Sequence, residues 1–256
     1  AGLAATGRIV VAATFAVFAS MRAAEMIRTS ICYPRLNVKV VGGYAGLTNG
    51  KDGATHQSVE DLAIMRSFPN MTVLVPSDPV QARKVLRAAV AHDGPVYIRV
   101  EYGNLAPIYS EDFDFEIGRG VIVRKGADVT IASCGIALAR VLEVAETLAA
   151  EGIEVEVLDI PTLKPFDKVT LLTSVGKTGA LVTVEEHSVI GGLASAAAET
   201  LLEAHACPYF KGLGIPDVFT ESGTSEKLRD KYGIGRDAIQ KAVRGLVAAK
   251  KEGRQK

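Results

Sequence analysis

Short runs that are apolar on both faces alternate along this chain with longer stretches whose apolar positions recur every three to four residues. The short runs are rich in β-branched residues and predict strands over 8–13, 37–42, 72–76 and 95–100. The longer ones predict helices over 16–30, 58–67 and 79–91. Strands with no polar face, alternating with helices, indicate a mostly parallel sheet covered on both sides. Between 101 and 117 the pattern fades, and Gly103, Pro107 and an acidic, aromatic run over 111–116 read as a linker. The alternation then restarts, with strands predicted over 120–124, 128–133, 154–159 and 180–185 and helices over 136–150, 192–206 and 236–249. The expected fold is α/β: two three-layer αβα domains over residues 1–118 and 119–256.

Composition narrows the function classes. The chain has 256 residues, 48% hydrophobic and 23% charged, enough for a substantial packed core. Lys plus Arg and Asp plus Glu both number 29, which gives no reason to expect nucleic acid or an anionic membrane as partner. Cys32, Cys134 and Cys207 are far apart and form no CxxC. That reads as reduced thiols of a cytoplasmic protein rather than a disulfide framework or a zinc site. The apolar run over 9–19 follows Arg8 but is too short to span a bilayer and lacks a clear cleavage box. The sequence begins at Ala1 inside what reads as a helix end, so further residues are expected upstream.

The densest chemistry lies in Asn49-Gly50-Lys51-Asp52-Gly53-Ala54-Thr55-His56-Gln57. Two short polar residues, flexible glycines and a histidine follow a predicted strand and lead into a helix. In open α/β sheets that edge is where ligands bind, and backbone N–H groups at a helix start favour anions. Taken alone, His56 could equally cap the turn, Asp52 could be a turn aspartate, and Phe15 and Phe18 could be one face of a buried helix.

Several motifs in order remove part of that ambiguity. Asp52-Gly53-Ala54-Thr55-His56-Gln57, then Val59-Glu60-Asp61-Leu62, Met65-Arg66, Pro69-Asn70, Val75-Pro76, Asp78 and Arg99 resemble the pyrimidine-binding domain of transketolases. Residues 119–256, with Glu185-Glu186-His187-Ser188 and Gly191-Gly192-Leu193, resemble the smaller, mixed-sheet C-terminal domain of the same family. The resemblance implies thiamine diphosphate and Mg²⁺ as cofactors. It implies transfer of a two-carbon ketol unit between sugar phosphates, with the cofactor as electron sink. It places Phe15 and Phe18 against the cofactor's aminopyrimidine, His56 at the substrate oxygens as proton relay, Asp52 at a substrate hydroxyl and Arg99 at the distal phosphate. Tyr44 falls where many transketolases carry another histidine, and Met21 where a tyrosine is common; both bear on the substrate. His187 reads as structural or interfacial.

The family's G-D-G metal and diphosphate segment does not occur here, and its activating glutamate would fall before Ala1. The chain is therefore expected to be the C-terminal subunit of a split enzyme and to supply no metal ligand. Its partner would be an N-terminal subunit carrying the diphosphate-binding domain. Self-association through the pyrimidine-binding and C-terminal domains would give an α2β2 heterotetramer. Three alternatives stay open. Deoxyxylulose-phosphate synthase shares D-G-x-T-H-Q and a downstream pattern matched by Asp93-Gly94-Pro95, Arg99 and Gly103-Asn104. The others are a 2-oxoacid dehydrogenase β subunit and a non-catalytic regulatory subunit.

Overall fold

The structure, a computed structural model, describes residues 1–103 and 105–253; Asn104 of the synthase-like pattern lies outside the described residues. Ten strands form two five-stranded sheets. The first contains β1 (Val10–Phe15), β2 (Val38–Gly43), β3 (Thr72–Leu74), β4 (Val96–Arg99) and β8 (Thr162–Lys164) in the order β1-β2-β4-β3-β8. Its first four strands are parallel, and β8 is antiparallel to β3. The second contains β5 (Val121–Arg124), β6 (Val129–Ser133), β7 (Val155–Asp159), β9 (Ala180–Ser188) and β10 (Tyr209–Ile215) in the order β10-β9-β6-β7-β5, with only β5 antiparallel. The helices are α1 (Ala24–Ile27), α2 (Asp61–Ser67), α3 (Pro79–Ala91), α4 (Ala137–Ala149), α5 (Lys168–Thr178), α6 (Leu193–Glu203), α7 (Ser225–Lys231) and α8 (Arg236–Gly253). Strands β3, β4, β6 and β7 are buried along their whole length, and the polar residues among them, such as Arg99, Glu156 and Asp159, are buried with them.

The departures from the sequence reading have physical causes. The helix expected over 16–30 is broken into π-helical turns at Phe18–Arg22 and Arg28–Cys32 flanking the short α1, and β1 runs on through Phe15. Strand β8 is absent from the predicted strands: it is three residues long and abuts Pro165, yet it pairs with β3 across the expected domain boundary. Lys164 reinforces this crossing by donating from Nζ to the carbonyls of Arg66 and Phe68 at 2.9 and 2.6 Å. Among the described residues no helix is long and apolar enough to cross a membrane. Strand β1 is an uncharged sheet edge, and Leu3, Ile9, Val11 and Met26 are each at least half exposed around it, a surface that ordinarily calls for cover.

A buried carboxylate also joins the halves. Asp159, at the end of β7, accepts hydrogen bonds from Ser77 Oγ, Gln81 Nε2 and Tyr109 Oη, all at 2.7 Å. Burial pushes its pKa up to about 6, while those three donors pull the other way. The folded value exceeds that of the unfolded chain. The group's stabilising contribution is therefore complete below pH ~4 and is lost as pH rises through about 6. Urea unfolding of the wild type and Asp159→Asn should show the wild type's relative stability falling by about 2–3 kcal/mol from pH ~4 to ~7.5; a pH-independent difference would refute the assignment.

Candidate active site

The C-terminal ends of β1, β2 and β4 define one edge of the first sheet, and the predicted aromatic residues meet there. Phe15 ends β1, Phe18 opens the first π-helical turn, and Tyr44 follows β2. Their rings, with that of His56, form one cluster. Phe15 packs on Phe18 at 5.9 Å between centroids and meets the edge of Tyr44 at 4.8 Å. His56 stands edge-on to Phe15 and Phe18 at 5.9 and 5.3 Å. Such tilted and edge-to-face contacts suit the ring quadrupoles and fix ring orientation.

The loop carrying His56 is shaped by glycine and by the second half of the chain. Gly50–Thr55 forms 3₁₀ turns interrupted at Gly53, whose φ of +69° and ψ of −164° are open to glycine alone. A Cβ there would lie 2.7 Å from Ser222 Oγ, and one on Gly50 would lie 2.4 Å from the Gly223 carbonyl. The loop is therefore pressed against residues 221–225. Gln57 Nε2 donates to the Glu221 carbonyl at 3.1 Å, Gly223 N–H to that of Gly50 at 2.9 Å, and Ser225 Oγ to that of Leu47 at 2.9 Å. His56 Nδ1 lies 2.9 Å from Thr55 Oγ1, and Nε2 has no partner among the described residues. Asp52 is exposed on the same turns.

Arg99, expected at the distal phosphate, does not join this cluster. It is 1% exposed, and its guanidinium is fully engaged. Nε donates to Asp61 at 3.0 Å, Nη1 to Glu101 at 2.6 Å, and Nη2 to the carbonyls of Ser58 and Glu186 at 3.2 and 2.7 Å. Burial would lower its pKa, but Asp61 and Glu101 more than reverse that. Beyond it, Glu186 accepts from Arg140 and Arg229 at 2.9 and 2.5 Å, and these hold its carboxyl below the usual range against the effect of burial. The arginine fork that suits phosphate serves equally to bind two buried carboxylates and two carbonyls. His187 is also fully buried, with Nε2 accepting from Ala63 N–H at 3.3 Å and Nδ1 2.8 Å from the Ser188 carbonyl. It ties α2 to β9.

Beside the aromatic cluster lies a shallow hollow of about 410 Å³ lined by Ala13, Thr14, Phe15, Val41, Gly43, Tyr44 and Val100. Its walls are apolar and aromatic, which fits a flat heteroaromatic ring and not a polyanion. Among the described residues no three His, Cys, Asp or Glu side chains converge as a metal site. Sequence reasoning missed Tyr102, whose ring stacks on Tyr44 at 5.0 Å and 14°. The available signal was an aromatic residue just beyond β4, on the ligand-facing edge, inside a segment read as linker.

The chain thus combines a mostly parallel sheet whose ligand edge carries an aromatic hollow, a glycine-shaped histidine loop and a packed mixed-sheet unit. Two family models match it, "Transketolase, pyrimidine binding domain" over residues 1–107 and "Transketolase, C-terminal domain" over 118–239. The 6-deoxy-6-sulfo-D-fructose transketolase subunit of Clostridium sp. (strain MSTE9) is 44% identical over 98% of this chain and 77% of its own length. A putative transketolase C-terminal section of Methanocaldococcus jannaschii is 42% identical over 95% of this chain and 77% of its own length. A solved split-gene transketolase, an inactive β4 tetramer, superposes with a TM-score of 0.90 at 47% identity, covering 96% of this chain and 79% of that one. The chain belongs to the transketolase family.

Proposed function

We propose that this chain is the C-terminal subunit of a split transketolase that transfers a two-carbon ketol unit between sugar phosphates. The observation that carries the reading is the cluster of Phe15, Phe18, Tyr44 and His56 beside an apolar hollow on the ligand edge of the first sheet. Phe15 and Phe18 would hold the aminopyrimidine of thiamine diphosphate, and Mg²⁺ and the diphosphate would be held by the partner. When bound, that cofactor supplies the electron sink for breaking and making the carbon–carbon bond. His56 is the catalytic candidate: with Nδ1 against Thr55, its Nε2 is the ring atom left to hold or move a proton at a substrate oxygen. Asp52 and Tyr44 are assigned to substrate hydroxyls. The two units are taken as residues 1–118 and 119–256, a division supported by the matched ranges and qualified by β8.

The partner we infer is an N-terminal subunit carrying the diphosphate-binding domain, with self-association completing an α2β2 heterotetramer. The uncharged edge strand β1, with exposed Leu3, Ile9, Val11 and Met26, supports an assembly that covers it, as does the inactivity of the solved relative composed of β chains alone. The free cysteines, two buried and one exposed, fit a cytoplasmic setting. The test is reconstitution. The chain is mixed with a co-expressed diphosphate-binding subunit, thiamine diphosphate and Mg²⁺, then assayed with xylulose 5-phosphate and ribose 5-phosphate and with the relatives' donor classes. Activity in the mixture and in neither subunit alone is expected; cofactor binding without turnover of any donor would overturn the enzymatic reading.

A further inference from the structure

Tyr44 is one of only a few non-glycine residues among those described with a positive φ, at +56°. That conformation is costly for a bulky side chain and persists only where surrounding contacts hold it. Here the contact is a stack of two phenol rings at 5.0 Å and nearly parallel. Yet the pair is not buried: Tyr44 is 38% and Tyr102 63% exposed. The stack is fastened from behind. Tyr102 N–H donates to Thr48 Oγ1 at 3.2 Å, and Thr48 Oγ1 donates to the Ala45 carbonyl at 2.6 Å. The preceding Glu101 is clamped between Arg99 Nη1 and the Ile136 N–H at 2.6 and 2.7 Å. A rigid mount, a strained backbone and two partly exposed aromatic rings form an arrangement suited to receiving a ligand rather than to stabilising the fold.

We propose that Tyr102, stacked on Tyr44, is a substrate-contacting residue, and that the pair is a platform against which the carbon chain of the sugar lies. The polarised C–H bonds of a sugar meet the negative face of an aromatic ring favourably. The platform continues the wall formed by His56, Phe15 and Tyr44, and Tyr102 also lines a cavity of about 430 Å³ between the two halves. The ring pair carries no charge of its own. Each arginine in that cavity meets a carboxylate, Arg140 and Arg229 sharing the buried Glu186 and Arg236 meeting Glu143, although Arg140 Nε is left without a partner among the described residues, and Arg99 is buried. Recognition by the two rings themselves therefore reads C–H surface and hydroxyls.

The inference rests on the ketol-transfer reading, so it is tested by one readout that needs turnover and one that does not. In the reconstituted complex, Tyr102→Ala should raise KM for ribose 5-phosphate about tenfold with kcat within about twofold. Tyr102→Phe, which keeps the ring, should stay within about threefold of wild type. Without turnover, saturation-transfer NMR on the same complex should show transfer from aromatic protons to the C–H protons of both D-ribose and D-ribose 5-phosphate. Both signals should be lost together in Tyr102→Ala. An unchanged KM in Tyr102→Ala, a Phe variant as impaired as Ala, or an NMR effect absent from wild type or confined to the phosphorylated sugar would each overturn the proposal. Failure of the ketol-transfer reading alone would abolish turnover in wild type while leaving the NMR signals in place.

Discussion

Arg99→Ala should unfold far more easily than the wild type, losing about 3–5 kcal/mol in urea or thermal denaturation. The substitution removes a guanidinium from between Asp61 and Glu101, whose side chains are 0% and 2% exposed. Two carboxylates would be left in a low-dielectric interior without their counter-ion, and the carbonyls of Ser58 and Glu186 without their donor. Asp61 also accepts from the buried hydroxyl of Tyr97 at 2.8 Å, so the disturbance spreads into the first core. Because Ser58, Asp61 and Glu101 precede residue 118 and Glu186 follows it, the loss should be cooperative across both sheets. Arg99→Lys should not rescue, since an ammonium cannot reproduce four planar contacts. A variant of normal stability with a raised KM for phosphorylated sugars would instead restore the phosphate-binding role that burial argues against.

His56→Ala should act in the opposite way, lowering ketol transfer in the reconstituted complex by about 10²–10⁴-fold with little change in stability. The side chain is half-buried, and its one polar contact among the described residues is with Thr55. Its removal opens space against Phe15 and Phe18 but leaves no buried charge. Thiamine diphosphate binding, measured by titration of the complex, should change by less than about tenfold. Wild-type turnover in the His56→Ala complex would remove His56 from the chemistry and leave it as a packing element of the aromatic cluster.

These two residues show what kind of information the chain displays openly. The loop around His56 was legible because its chemistry is local. Glycines at 50 and 53, a histidine and a strand before it announce a ligand-facing turn whatever surrounds it. Phe15 and Phe18 were legible as a pair, although the helix expected to carry them is a strand end followed by a π-helical turn. The ring contacts survive because both arrangements put the side chains on the same edge. Tyr102 was hidden by the fading periodicity after residue 100, where a functional loop and a linker look alike.

By itself the sequence determined two α/β units, a mostly parallel first sheet and the loop that bears the candidate histidine. Alternating apolar runs and glycine-rich turns express those features through neighbours a few residues apart. Tertiary structure alone decided the fate of Arg99, the stacking of Tyr44 on Tyr102 and the capture of β8 by the first sheet. An arginine at a strand end suits a phosphate or a buried carboxylate equally, and only the arrival of Glu186 from the second half shows which it meets. The stack joins residues 58 positions apart, and β8 pairs with a strand some 90 residues earlier. Such contacts depend on which elements come together in space, a property no local pattern encodes.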